Sequence, residues 1–324
     1  MGKRVTAADV ARSLGLSRAT VGFVLNDTPG QTISEATRER VLAEAKRLGY
    51  RPHTAARALA SGRSHIVLVL LPEWPMEYSM RTHLDEASLV LDRAGYSLVT
   101  MTPHPGGQAV PLWESLAPDV VLALAPIPAD QYRAIRATGA ATIIPGFDEL
   151  GTGDELHFAD GPRLQVAHLL ERGRHRIAFA GSTDARIAGL VAERRALAAR
   201  THRELARGDL AAAADIDEAT ASDVVVSWLA QGIDGVVAYN DDIAALVLGA
   251  AVRSGTDVPG ELAIVGHDDS PLARLMVPAL SSVRVDTAGL GRFLAELALS
   301  KVSDAAAPTA GPAATAVLVR RETS

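Results

Sequence analysis

Apolar residues recur at helical spacing in three short stretches near the start of the chain. Val10, Ala11 and Leu14 form one face behind Thr6, a good N-cap with Asp9 three positions on. Gly15 stops that helix. Ser17 caps a second, whose face is Val21, Val24 and Leu25, and Asn26, Pro29 and Gly30 break it. Ser34 caps a third, with Val41, Leu42, Ala45 and Leu48 inward and Gly49 as its stop. Two helices joined by a glycine-containing turn and followed by a packing helix describe a helix-turn-helix. That arrangement presents Ser17 to Phe23 to a major groove, N-terminal end first. Beyond Tyr50-Arg51-Pro52, residues 53–61 read as a short alanine-rich helix ended by Gly62. A helix this short is marginal alone and needs a partner to be ordered. Leu59 among small neighbours suits insertion between base steps in a minor groove.

From Ser64 the period changes. Runs with strand character stand at Ile66–Leu71, Ser97–Met101, Val120–Ala125, Ala141–Ile144, Arg176–Ala180, Gly235–Tyr239, Leu262–Gly266 and Ser282–Val285. Between them lie helical stretches at Tyr78–Arg93, Asp130–Thr138, Arg163–Glu171, Arg186–Ala206, Ala219–Gln231 and Asp242–Arg253. Continuous apolar strands alternating with helices predict parallel sheets covered on both faces. Roughly 260 residues exceed one comfortable open sheet, so two subdomains are expected. Ligands then bind beyond the strand C-termini, in the cleft between the lobes.

Composition sharpens this. The 324 residues carry 32 Lys+Arg against 38 Asp+Glu, a net charge of −6, which as an average opposes nucleic-acid binding. The charge is divided, however. Residues 1–62 hold ten Lys and Arg against five Asp and Glu, so +5 sits in the head and −11 in the rest. A basic head on an acidic body fits a tethered nucleic-acid reader, or an arginine-rich solvated helical domain. There is no cysteine, which removes disulfides, thiolate metal sites and cysteine nucleophiles. The longest apolar runs fall short of the ~18 residues of a membrane span. Lys3 and Arg4 lead into Asp9, Arg12 and Arg18, not an apolar segment. No secretion signal and a cytoplasmic location are therefore expected.

The head carries a specific resemblance. Val5-Thr6-Ala7-Ala8-Asp9-Val10-Ala11, Ser17-Arg18-Ala19-Thr20-Val21, Val24-Leu25-Asn26, Thr37-Arg38-Glu39-Arg40-Val41 and Leu48-Gly49-Tyr50-Arg51-Pro52 resemble the head of the lactose-repressor (LacI/GalR) family of transcription regulators. The resemblance implies a homodimer on a pseudo-palindromic operator, with the second helix in the major groove and paired hinge helices in the minor groove. It places Arg18, Ala19 and Phe23 at base-reading positions. Ser17, Thr20, Asn26 and Thr37 would hold phosphates, and Thr6, Ala7, Gly22 and Tyr50 complete the DNA-facing set. Ala56 and Leu59 would form the wedge, flanked by His53 and Arg57. Two features depart from the family. Gly22-Phe23 stands where the family has Ser-Arg, so the operator sequence does not transfer. The loop from Asn26 to Ile33 is about two residues longer than usual.

The body resembles the same family's effector domain, a two-lobed α/β unit like the periplasmic sugar-binding proteins. The motifs are residues 168–181, Tyr239-Asn240-Asp241, residues 258–269, Pro278-Ala279-Leu280-Ser281-Ser282-Val283 and Leu318-Val319-Arg320-Arg321. The implied organisation is a helix-turn-helix domain at 1–50, a hinge helix at 51–62 and an effector-binding and dimerisation domain at 63–324. Lobe 1 would take about 64–158 and 285–308, and lobe 2 about 159–284 and 309–324. Implied effector contacts are Asp268, Asn240, Asp241 and Arg194, with Arg186 or Arg195 as competing arginines. Trp74 and Tyr78 would stack on a ring, and Phe147 and Asp148 follow another strand. Asp268-Asp269 could equally cap a loop, and Trp74 could simply pack. His267, where the family has an aromatic, takes either a packing or a titrating role. An arginine and carboxylates converging on hydroxyls suit a carbohydrate.

Enzymatic signals are weak. Gly289-Leu290-Gly291 lacks a third glycine and is no dinucleotide fingerprint, no GxxxxGK[ST] or GxSxG occurs, and no His pair has metal spacing. Asp241-Asp242 could do acid–base work, but adjacent residues at a helix start point apart. No cofactor or metal is expected. Residues 303–316, rich in Ala, Pro and Thr, read as a connector with no leucine heptad, which favours a dimer over a tetramer. The alternative is a small-molecule-binding protein with no transcriptional role.

Overall fold

In the computed structural model, which describes residues 5–26, 28, 30–50, 63–104, 107–124, 127–140, 142–144, 160–303, 308 and 316–324, the first three helices form where their caps stand. They are α1 (Ala7–Leu14), α2 (Arg18–Leu25) and α3 (Glu35–Leu48). The Thr6 N–H donates to Asp9 at 2.9 Å. Ser17 Oγ accepts from the Thr20 N–H at 3.0 Å, and Ser34 Oγ from the Thr37 N–H at 3.3 Å. Gly15 and Gly49 close α1 and α3 with φ of 67° and 70°, conformations that cost glycine little. Val10, Ala11, Val21, Val24, Val41 and Ala45 meet in one core. Leu42, expected inward, is 49% exposed. Val41, Ala45 and Leu48 already share one face at helical spacing, and Leu42 lies about 100° round from it. The hinge residues 51–62 lie outside the described residues, as do 304–307 and 309–315 of the connector.

The body contains two parallel sheets. In the first lobe are β1 (Ile66–Leu70), α4 (Tyr78–Arg93), β2 (Ser97–Met101), α5 (Leu112–Ser115), β3 (Val120–Ala123), α6 (Ala129–Ala137) and β4 (Thr142–Ile144). The strand order is β2-β1-β3-β4. The second lobe begins with α7 (Asp160–Glu171), β5 (Ile177–Ser182), α8 (Ala188–Ala206), β6 (Ala212–Ile216), α9 (Ala221–Ala230) and β7 (Gly235–Ala238). It continues with α10 (Asp241–Arg253), β8 (Ala263–His267) and β9 (Ser281–Arg284). The chain then contributes α11 (Thr287–Ser300), packed on α4 in the first lobe, before returning as β10 (Val317–Val319) beside β9. The six-stranded order is β10-β9-β8-β7-β5-β6, with only β10 antiparallel.

Alternation along β1 divides the first core. Val67, Val69 and Leu71 pack with Leu290, Leu294 and Ala298 of α11, whereas Leu68 and Leu70 pack with Trp113 and Ile135 on the other face. Four elements escape the sequence pattern, the first being the single turn of α5. β6 is the alanine-rich run AAADI, which has little strand preference and forms as an edge beside β5. β10 is a short edge strand. α11 was hidden by its glycines, and Gly291 has a packing reason: a Cβ there would meet the His83 carbonyl oxygen at 2.2 Å. Gly291→Ala should therefore force α11 away from α4 and destabilise the protein by about 1–3 kcal/mol, read as a lower urea midpoint.

Candidate functional site

Two surfaces gather the sequence-selected residues. On the head, the exposed start of α2 presents Ser17, Arg18 and Ala19, with Thr20, Gly22 and Phe23 half-buried along the same helix. The Ser17 and Thr20 hydroxyls hydrogen-bond each other at 2.8 Å, and the Thr37 hydroxyl lies 2.9 Å from Ser34 Oγ. Asn26 is the exposed C-cap of α2. Thr6 and Ala7 begin α1, and Tyr50, half-buried, packs on the head's core. His53, Ala56, Arg57 and Leu59 lie outside the described residues.

In the body, the site residues stand where β1, β7 and β8 end. Such strand ends, at points where the strand order reverses, are where open α/β sheets hold ligands. Arg194 on α8 is the central group. Its guanidinium lies 4.6 Å from the Tyr239 ring centre, donates to the Tyr239 carbonyl, and approaches Asp268 at 3.8 Å. Its competitors are engaged elsewhere: Arg195 pairs with Asp215 on β6, and Arg186 with Asp184. Asp268 has φ of 96° and Asp269 of 47°, a region few non-glycine residues enter. Two hydrogen bonds hold this bend: the Asp268 N–H donates to the Val283 carbonyl at 2.7 Å and the Asp269 N–H to Ser282 Oγ at 3.0 Å. The two aspartates then divide the work. Asp269 pairs with Arg321 and secures the loop, while Asp268 faces Arg194.

His267 is buried and its Nδ1 lies 2.8 Å from Asp268. Burial, with the charge of Arg194, pushes its pKa down, so it is a neutral packing histidine that donates to Asp268 rather than a neutral-pH titrator. Burial opposes ionisation of Asp268. The hydrogen bond from His267 and the positive charge of Arg194 outweigh it and hold the carboxyl below the usual range.

Asn240 caps α10, accepting from the Ile243 N–H at 2.9 Å, and its Nδ2 donates to Glu77 at 3.0 Å. Asp241 departs from its expected ligand role. It is 2% exposed, and its oxygens accept from Ser282 Oγ and the Ser270 N–H, both at 2.6 Å. A carboxylate with both oxygens taken inside the protein fastens β9 to the loop after β8. Asp242 beside it is exposed, so the pair does point apart. Trp74, in the loop after β1, packs on the core of the other lobe, while Tyr78 is 41% exposed. Tyr78 lines a hollow of about 360 Å³ with Thr82, Asp268 and Thr287. Phe147 and Asp148 lie outside the described residues. No cluster of metal-ligating side chains occurs among the described residues.

Two contributors were missed in the sequence. Gln165, buried on α7, donates from Nε2 to the carbonyls of Ala238, Val265 and Gly266, tying together the ends of β7 and β8. Glu77 lies just before α4. Burial pushes its carboxyl up to about 7; the charge of Asp268 adds to this and that of Arg194 opposes it. Neither sits in a recognisable motif, and only the approach of distant segments gives them partners.

The arrangement makes Arg194 the counter-charge of Asp268. Arg194→Met should raise the Asp268 titration, read by carboxyl ¹³C NMR, and cost roughly 1–3 kcal/mol at neutral pH. Because the native pKa of Asp268 is depressed, that stability is present above the unfolded value. The gap between the two proteins should narrow as pH falls below about 4.

Known proteins resemble this chain in both its head and its body. Residues 6–53 match the family described as bacterial regulatory proteins, lacI family, and residues 166–324 match a periplasmic binding protein-like domain. The chain is 30% identical over 314 residues to an uncharacterized HTH-type transcriptional regulator in the aml 5′ region of Streptomyces limosus, covering 90% of this chain and 88% of that protein. Among solved structures, the Lac repressor dimer bound to operator and the anti-inducer ONPF aligns with a TM-score of 0.79 at 23% identity, over 99% of both chains. The complex of the transcriptional regulator CelR with cellobiose aligns with a TM-score of 0.63 at 24% identity, over 99% of this chain and all of that one. The structural likenesses establish a helical head on a two-lobed periplasmic-binding-protein-like body, and the sequence match over nearly the whole length shows that the chain belongs to the lacI family of bacterial transcription regulators.

Proposed function

We propose that this regulator is a repressor that binds a pseudo-palindromic operator as a homodimer and responds to a carbohydrate in the cleft between its lobes. The observation that carries the reading is the joining, in one chain, of a capped helix-turn-helix with an exposed Arg18 and a cleft centred on Arg194 and Asp268. The operator and the cellobiose held by its structural relatives support the two ligand classes. The division into a 1–50 head, a 51–62 hinge and a 63–324 effector domain follows the same logic. No catalytic role is assigned: Asp241 is used by the fold and Asp268 by its Arg194 and His267 partners. A DNA-binding role puts the protein in the cytoplasm. Among the described residues no helix is long and apolar enough to cross a membrane.

In the head, Arg18 is suited to bidentate contact with guanine, while Phe23 offers an apolar face to thymine methyls. Ser17, Thr20, Asn26 and Thr37 contact phosphates, and Ala56 and Leu59 wedge the minor groove. In the body, Asp268, Arg194 and Asn240 hold hydroxyls, with Tyr78, Trp74, Phe147 and Asp148 at the rim. Ligand and operator then compete for or share one conformational equilibrium, and each changes the other's affinity by the same factor.

A mobility-shift titration on DNA upstream of the protein's own gene tests the reading, and the absence of a sequence-specific shift with or without sugars refutes it. Arg18→Ala should lower specific affinity roughly 10- to 100-fold without changing the melting temperature, since a bidentate base contact is worth about 1–3 kcal/mol. In a thermal-shift screen of mono- and disaccharides, a stabilising sugar should lose its effect in Asp268→Asn. A full effect in that variant removes Asp268 from the site.

A further inference from the structure

Among the described residues, a hydrogen bond between side chains bridges the cleft from lobe to lobe. Asn240 Nδ2 donates to Glu77 Oε1 at 3.0 Å, across 163 positions of sequence. The far end of the carboxamide is fixed, because Asn240 Oδ1 caps α10. Glu77 occupies the N-cap position of α4 but its side chain does not cap that helix. Its carboxyl is committed across the cleft instead.

The charged groups acting on Glu77 all come from the second lobe. They are Asp268 at the end of β8, Asp242 on α10 and Arg194 on α8. Tyr239, at the end of β7, feels both Glu77 and Arg194, and burial holds its hydroxyl neutral. Asp241, behind Asn240, and His267, behind Asp268, have their polar contacts inside the lobe. When Glu77 ionises, its charge meets those of Asp268 and Asp242 across the cleft, with Arg194 opposing them, and like charges push the lobes apart. When Glu77 carries a proton, the repulsion ends. The bond from Asn240 survives, because it needs only an acceptor oxygen.

We propose that Glu77 is a proton-operated latch, holding the two lobes together through Asn240 when protonated and releasing them when ionised. The latch lies beside Arg194 and Asp268, so a ligand that engages the Asn240 N–H must share it with Glu77 or displace it. The sign of the pH effect follows from linkage. Burial and then Asp268 push Glu77 up to about 7 in this arrangement, above its ordinary value once the lobes part. The closed form binds the proton more tightly and is favoured at low pH. That preference is lost as pH rises through about 7, so the closed-to-open ratio should fall about tenfold between pH 6 and pH 8.

The absence of native cysteine allows a clean test. Val110→Cys on the first lobe and Glu218→Cys on the second, both exposed, accept spin labels in the full-length protein. Dilution with unlabelled protein confines the measured distance to one protomer. Without effector or DNA, the short-distance population should fall about tenfold relative to the long one from pH 6 to pH 8. Glu77→Gln keeps the acceptor oxygen and cannot ionise, so it should hold the closed population at both pH values. Glu77→Ala should open the cleft at both, with an unchanged circular dichroism spectrum. Identical distributions at the two pH values in the parent protein, or a pH response that persists in Glu77→Gln, would overturn the latch. Neither result bears on operator or sugar binding, because neither ligand is present in the measurement.

Discussion

Arg194 is the contact on which the cleft depends. Its guanidinium lies over the Tyr239 ring, bonds the Tyr239 carbonyl and neutralises Asp268, joining α8 to the ends of β7 and β8. A buried carboxylate without a counter-charge would take up a proton or leave the interior. With Arg194 and His267 beside it, Asp268 stays ionised at the end of a strand, despite the positive φ that the position requires. A guanidinium suits this task because its planar fork can serve a carbonyl, a carboxylate and an aromatic face at once.

Around that contact, most polar side chains near the cleft serve the framework. Asp241 accepts from Ser282 and Ser270, Asn240 caps α10, Gln165 binds the carbonyls at the ends of two strands, and Asp269 pairs with Arg321. Buried polar groups need such partners. Tyr78, Thr82, Asp268 and Thr287 still line the hollow. Trp74 on the opposite core and Glu77 on Asn240 are two of the contacts that join one lobe to the other.

The head works on a different principle. Its small core could not hold helices this short without caps, and Thr6, Ser17, Ser34, Gly15 and Gly49 supply them locally. Ser17, which caps α2, is also one of the hydroxyls proposed to hold a phosphate. The net charge of −6 hides this function, and the division into a +5 head and a −11 body restores it. An acidic body repels phosphates in general, leaving attraction to the head.

Much of this was legible in the order of residues. Cap, apolar face and stop follow one another within a few positions in the head. Buried strands announce themselves as unbroken runs such as IVLVL in β1. These signals are local, because helix and strand periods are set by the backbone. The alanine-rich β6 and the glycine-bearing α11 escaped, since an edge beside β5 and a close approach to α4 override weak local preference. The site divides in the same way. Arg194 and Asp268 lie in stretches that resemble the family, but three arginines competed until Arg195 met Asp215 and Arg186 met Asp184. The inward turn of Asp241 and the partnership of Glu77 with Asn240 had no local trace. Charge, desolvation and hydrogen-bond partnership depend on what stands within a few ångströms in space, and along this chain those neighbours lie tens to hundreds of residues apart.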